Sequence, residues 1–123
     1  MASDALTDNA GNLQATSQCL NTPPTPITFS SASGLQQIFA GVSGKIIVGC
    51  QFSIAFSTAP ATMQVEYGTG TNCGTGTTAL TGPIQNPMTM TLDVPFSVPA
   101  GNNLCLNLGS SVTGGGWIEA ITQ

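Results

Sequence analysis

Residues 45–57 alternate without a break: Ile46, Val48, Cys50, Phe52, Ile54 and Phe56 fall on one side of an extended chain, and Ile47, Gly49, Gln51, Ser53, Ala55 and Ser57 on the other. A period of two places successive side chains on opposite faces, so this stretch predicts a strand with one buried face. Met88, Met90, Leu92, Val94, Phe96 and Val98 repeat the pattern against Thr89, Thr91 and Asp93. Shorter copies are Met63, Val65 and Tyr67 against Gln64 and Glu66, and Leu104, Leu106 and Leu108 against Cys105 and Asn107. Ile27–Phe29, Leu35–Ala40, Thr77–Leu80 and Trp117–Ile121 supply further candidates, and no segment carries a helical stripe. Gly41, Gly44, Ala59-Pro60 and Pro99–Asn103 fall between the runs, where glycine and proline set turn geometry. About eight short antiparallel strands follow. They predict an all-β, two-sheet sandwich with a jelly roll as the leading topology.

The chain has 123 residues, enough for one domain with a core of its own. Only 5% of its residues are charged, against 41% hydrophobic, whereas soluble domains carry about 25% charged residues. A neutral polar skin of Thr, Ser, Asn, Gln and Gly leaves little self-repulsion and favours association between subunits. The one basic side chain is Lys45, so the phosphate neutralisation behind nucleic-acid affinity is missing. Anionic membrane surfaces are excluded on the same ground. Residues 1–12 show no basic region followed by an apolar one, and no apolar run approaches the ~20 residues that span a bilayer. A soluble product made in the cytoplasm is expected.

Residues 1–26 differ in texture from the remainder. They are polar, lack a sustained period, and end in Asn21-Thr22-Pro23-Pro24-Thr25-Pro26. Proline removes amide donors and favours an extended path. This segment reads as an N-terminal arm that can lie on a neighbouring subunit, with a disordered terminus as the alternative; the sandwich takes up residues 27–123.

Chemistry is sparse. The chain contains no histidine, which removes histidine acid/base catalysis and the Ser-His-Asp arrangement. Asp4 and Asp8 lie in the arm, while Glu66, Asp93 and Glu119 fall on polar faces of separate predicted strands, where each is expected to be solvated. Nothing pairs two carboxylates at the ~5–10 Å that glycoside hydrolysis needs. Gly68–Gly76 is rich in glycine but lacks a Gly-Lys-Ser/Thr ending and leads into no helix, so it reads as a loop and not as a phosphate cradle. The reading is a non-enzymatic protein without cofactor.

Cys19, Cys50, Cys73 and Cys105 are far apart in sequence, unlike the close pairs of zinc sites. Cys50 shares the buried face of its strand, Cys105 faces away from Leu104 and Leu106, and Cys73 sits in a loop. The preferred pairing is Cys73–Cys105, with Cys19–Cys50 second. The alternative is four reduced thiols, with Cys50 acting as a small hydrophobe. Trp117 follows Gly114-Gly115-Gly116 at the expected opening of the last strand. It is assigned to core or subunit-interface packing, with sugar stacking as the alternative.

Three segments carry a resemblance. Tyr67–Gly82 (YGTGTNCGTGTTALTG) resembles a segment of small structural proteins of tailed bacteriophages. Pro99–Leu108 (PAGNNLCLNL) is similar to their Gly-rich approach to an LCLNL-like strand, and Gly44–Cys50 also fits. The resemblance covers about residues 27–123 and leaves the arm out. It implies a jelly-roll-like virion subunit, with capsid decoration or cement proteins, head fibres and tail modules as candidate homes. Proteins of the decoration type commonly form trimers on the capsid surface. A homotrimer whose partner is the major capsid protein or another virion protein is therefore expected, with an adhesion or carbohydrate-binding module as the alternative.

Overall fold

The computed structural model describes residues 22–92 and 95–123. Eight strands form one antiparallel sheet: β1 (Thr25–Phe39), β2 (Ile47–Phe56), β3 (Thr62–Thr69), β4 (Thr75–Ala79), β5 (Ile84–Gln85), β6 (Thr89–Leu92), β7 (Phe96–Val98) and β8 (Asn103–Thr122). The all-β antiparallel class follows from the two-residue periods. The strand boundaries do not: the first two predicted segments merge into the 15-residue β1, and the last two into the 20-residue β8. The long run from Met88 splits into β6 and β7, with Asp93 and Val94 outside the described residues.

β8 is the centre. Its second half pairs on one side with β1, from Thr25↔Ile118 to Phe29↔Gly114, and on the other with β2, from Ile47↔Thr122 to Phe56↔Gly114. Its first half pairs with the second half of β1, from Gly34↔Leu108 to Phe39↔Leu104, and with β3, from Met63↔Leu108 to Gly68↔Asn103. The outer flank of β2 carries β6 and β7, and the outer flank of β3 carries β4 and β5. The sheet thus has two wings. One runs β1, β8, β2, β6/β7 and contains Trp117; the other runs β1, β8, β3, β4/β5 and contains Cys105.

Between the wings both long strands lose register, with shifts at Phe29/Ala32 and Ala32/Gly34 of β1. Interrupted ladders leave amides without backbone partners, and hydroxyls take their place. Ser31 N–H donates to Thr113 Oγ1 at 3.0 Å, and Ala61 N–H donates to Ser110 Oγ at 2.9 Å. Such shifts bend a strand, and both wings contribute to a single hydrophobic cluster. Ile27, Phe29, Phe52, Ile54, Phe56 and Ile118 come from one wing; Met63, Val65, Leu104, Leu106 and Leu108 come from the other.

The Gly114–Gly116 run, read from sequence as a turn, lies inside β8. Phe29 and Phe56 both pair with Gly114 from opposite sides. With no side chain between them, the two rings meet over β8, stacked at a centroid distance of 6.1 Å and an interplanar angle of 18°. A Cβ on Gly114 would lie 2.8 Å from Phe56 Cα and 3.0 Å from its Cδ1.

One strand departs from its predicted facing. β2 carries a register shift between Gly49 and Gln51, so Cys50 sits at a bulge. An extra residue reverses which side chains face inward. Ile47, and not Ile46 or Cys50, joins the core before the bulge; Phe52, Ile54 and Phe56 join it after. Cys50 is only half-buried.

Gly114→Ala is expected to lower stability by about 1–3 kcal/mol through overpacking. Gly82→Ala, whose Cβ meets nothing within 4 Å, is expected to stay within ~0.5 kcal/mol of the parent. Urea unfolding of the two variants checks the pair.

Candidate functional site: a strapped face and an open face

The outer faces of the two wings differ. In the Cys105 wing, the chain leaves β3 at Gly70 and makes a 3-10 turn over Thr71–Cys73 before entering β4. This strap crosses the outside of the wing in contact with β3, β8 and β1. Cys73 is joined to Cys105 by a disulfide with a Cα–Cα distance of 6.4 Å. Asn72 Oδ1 accepts a hydrogen bond from the Gln37 amide of β1 at 3.1 Å, Thr77 Oγ1 donates to Cys73 O at 2.6 Å, and Asn103 Nδ2 donates to Gly70 O at 3.2 Å. Cys73 Sγ also lies 3.3 Å from Asn103 O, a contact only, since a disulfide sulfur carries no proton. Gly68 makes the seat. A Cβ there would lie 2.7 Å from Cys73 O and 3.1 Å from Cys73 Cβ.

Glu66 stands on this strapped face, paired with Cys105 across β3 and β8 and two residues before Gly68. Its expected solvation is corrected: it is 7% exposed, and its Oε1 has no hydrogen-bond partner among the described residues. The strand alternation correctly turns Glu66 away from the core, but the strap covers the side to which it turns. Cys105, on the same face, is likewise fully buried.

Magnitudes decide what holds the strap down. Its three hydrogen bonds contribute ~0.5–1.5 kcal/mol each. Against them stand Cys73 in a left-handed conformation at φ 57°, at about 1–2 kcal/mol, and the orphaned Glu66 oxygen, at about 1–3 kcal/mol. Asn72 is left-handed too, at φ 48°, a conformation that asparagine tolerates. Without the disulfide, these contributions nearly cancel.

Among the described residues no strap crosses the outer face of the Trp117 wing. Cross-strand pairing sets Pro26, Trp117, Ser53 and Thr91 in one row, with Thr28, Gly115, Ala55 and Thr89 beside it and Glu119 opposite Gln51. Trp117 is half-buried, and among the described residues its indole N–H has no hydrogen-bond partner. Ser53 Oγ and Thr91 Oγ1 lie 3.3 Å apart. Trp117 is therefore in the middle of a strand, and not at the opening of one. It stands on the wing that pairs β8 with β2, whereas Gly68–Gly76 belongs to the wing that pairs β8 with β3, with Asn103, the partner of Gly68, fourteen residues earlier in β8.

The remaining candidates are dispersed. Glu66 and Glu119 lie in different wings, and Asp4, Asp8 and Asp93 lie outside the described residues. Among the described residues no group of three or more His, Cys, Asp or Glu could hold a metal, and no helix is long and apolar enough to cross a membrane. Lys45 is exposed at the tight turn where Val42 bridges to Lys45. Cys50 is disulfide-bonded, and its expected partner Cys19 lies outside the described residues. So does Asn21 of the arm. Thr22, Pro23 and Pro24 lead into the sheet, and Pro26 is already part of β1 opposite Trp117. A proline is tolerated there because β1 is an edge strand. No family model, curated protein or solved structure matches the chain.

Replacing Cys73 and Cys105 together by serine is expected to cost about 3–4 kcal/mol, from the loop closed by their 32-residue separation. Glu66→Met is expected to raise stability by ~1 kcal/mol by removing the unpaired oxygen. Chemical denaturation under non-reducing conditions measures both.

Proposed function

We propose that the chain is a virion structural protein of the capsid decoration or cement type, binding the head shell of a tailed phage as a homotrimer and stabilising it. One observation carries this reading. Among the described residues β1, from Thr25 to Phe39, pairs only with β8, and apart from the Gln37 amide its other edge is left open, while Lys45 and Glu119 are the only charged side chains not buried. Soluble proteins that stay monomeric usually blunt such edges with charge. The resemblance of Tyr67–Gly82 and Pro99–Leu108 to phage structural proteins points the same way.

The pairing order supports a jelly-roll subunit. Each half of β1 adjoins a half of β8, which adjoins β2 or β3, which adjoins the returning strands β4–β7. Two four-stranded layers related in this way are the arrangement of an eight-strand jelly roll. A disulfide at Cys73–Cys105 suits a protein that works at a virion surface. The mechanism is mass action: a subunit that binds only the mature shell stabilises that state in proportion to its occupancy. The arm ahead of β1 would extend the contact onto the major capsid protein or another virion protein, at an entropic cost that limits affinity but not coverage.

Light scattering is expected to give three times the 12.4 kDa chain mass. A chain lacking residues 1–24 and carrying Cys50→Ser is expected to keep its β-sheet spectrum and its trimer but to lose co-sedimentation with phage heads. A monomer in both, or undiminished head binding without the arm, would sink this mechanism.

A second reading, an adhesion or carbohydrate-binding module, is favoured by the open row around Trp117. An indole face beside hydroxyl and amide side chains is a chemistry that stacks on a sugar ring. The chain has one tryptophan, so its fluorescence reports this face alone. A saturable change on titration with neutral oligosaccharides, abolished by Trp117→Ala, is the expected outcome of that reading; a flat titration rejects it.

A further inference from the structure

The strap over the Cys105 wing does two things at once. It lies over the face that holds Glu66, and through Asn72 Oδ1 it occupies the Gln37 amide on the otherwise unpaired edge of β1. Both sulfurs are fully buried, so exchange begins in brief local openings of the strap, and reduction then removes the bond that recloses it. The left-handed Cys73 and the orphaned Glu66 oxygen oppose closure, while few hydrogen bonds favour it. The covalent bond does more than any other interaction to keep the strap closed.

We propose that residues 70–74 form a disulfide-gated lid. When Cys73–Cys105 is oxidised, the lid shields Glu66 and blocks the β1 edge at Gln37; when that bond is reduced, the lid lifts and releases both. The step balances as a thiol–disulfide exchange. A dithiol reductant gives two electrons and two protons, the Sγ–Sγ bond breaks to leave two cysteine thiols, and the reductant closes to its own cyclic disulfide. Closure is the reverse: oxidation draws the strap down, covers a carboxylate and withdraws one backbone donor from an edge that would otherwise pair with another chain. The oxidised subunit therefore offers a shorter free edge than the reduced one, because the β1 edge is blocked at its Cys105-wing end and, among the described residues, left open at its Trp117-wing end.

Carbodiimide modification of carboxylates, mapped by mass spectrometry, tests the lid on the full chain, with half-exposed Glu119 as internal reference. In the native protein Glu66 is expected to stay unmodified while Glu119 reacts. In Cys73→Ser/Cys105→Ser, which leaves the Cys50 bridge alone, Glu66 modification relative to Glu119 is expected to rise about tenfold or more, with a matching rise in hydrogen exchange at the Gln37 amide. Gly68→Ala retains all four cysteines and disturbs only the seat of the strap; a severalfold rise at Glu66 is expected there too, and this variant decides if the serine pair fails to fold. Glu66 protected in a folded serine variant, or in folded Gly68→Ala, overturns the proposal, as does equal modification of Glu66 and Glu119 in the native chain.

Discussion

Hydrogen bonding on both flanks of β8 is the constraint on which the remaining structure depends. Over two stretches, Leu104–Leu108 and Gly114–Ile118, this strand has a partner on each side, so β1, β2 and β3 are neighbours only through it. Side chains on its inner face, Leu104, Leu106, Leu108, Val112 and Ile118, run through the middle of the hydrophobic cluster. Where bulk from its neighbours already fills the space, β8 carries glycine instead: Phe29 and Phe56 close over Gly114, and Ile27 and Ile54 pair with Gly116. Pairing and packing are thus set by one element. A defect in β8 is felt in both wings.

The wings share this strand but present unlike exteriors. One is strapped, cross-linked and polar, with an amide of the β1 edge capped by a side chain. The other, among the described residues, carries hydroxyls, small side chains and a half-buried indole without a strap over them. Sheets need protection on edges and faces when little charge is available to keep copies apart. Among the described residues that protection is found on one wing only, which gives them one sealed face.

Much of the fold was legible in the sequence, for a physical reason: where a strand buries one face, a period of two is unavoidable, and Phe52, Ile54, Phe56, Met63, Val65, Leu104 and Leu106 all obey it. What escaped were departures that arise from long-range partners. The bulge at Cys50 depends on how β2 meets β8, and nothing local to Gly49–Gln51 announces it. Three successive glycines look like a turn until two flanking strands are known to need their space. Glu66 sits at a position that alternation assigns to solvent, yet it is buried on the face where the strap is fixed to a cysteine 32 residues away. The pairing of Cys73 with Cys105 followed from the pleat, because it needed only a strand face and a loop.

The place of β8 in the chain order has a consequence for biogenesis. A ribosome makes β1, β2 and β3 before any residue of the strand that joins them, so these segments emerge without their principal partner. Pairing across such sequence separations is slow because loop closure precedes any gain. During that interval strands with little charge are exposed to other nascent chains. Folding is therefore a late, concerted event that waits for residues 103–122, and the vulnerable period of this protein's life is its synthesis.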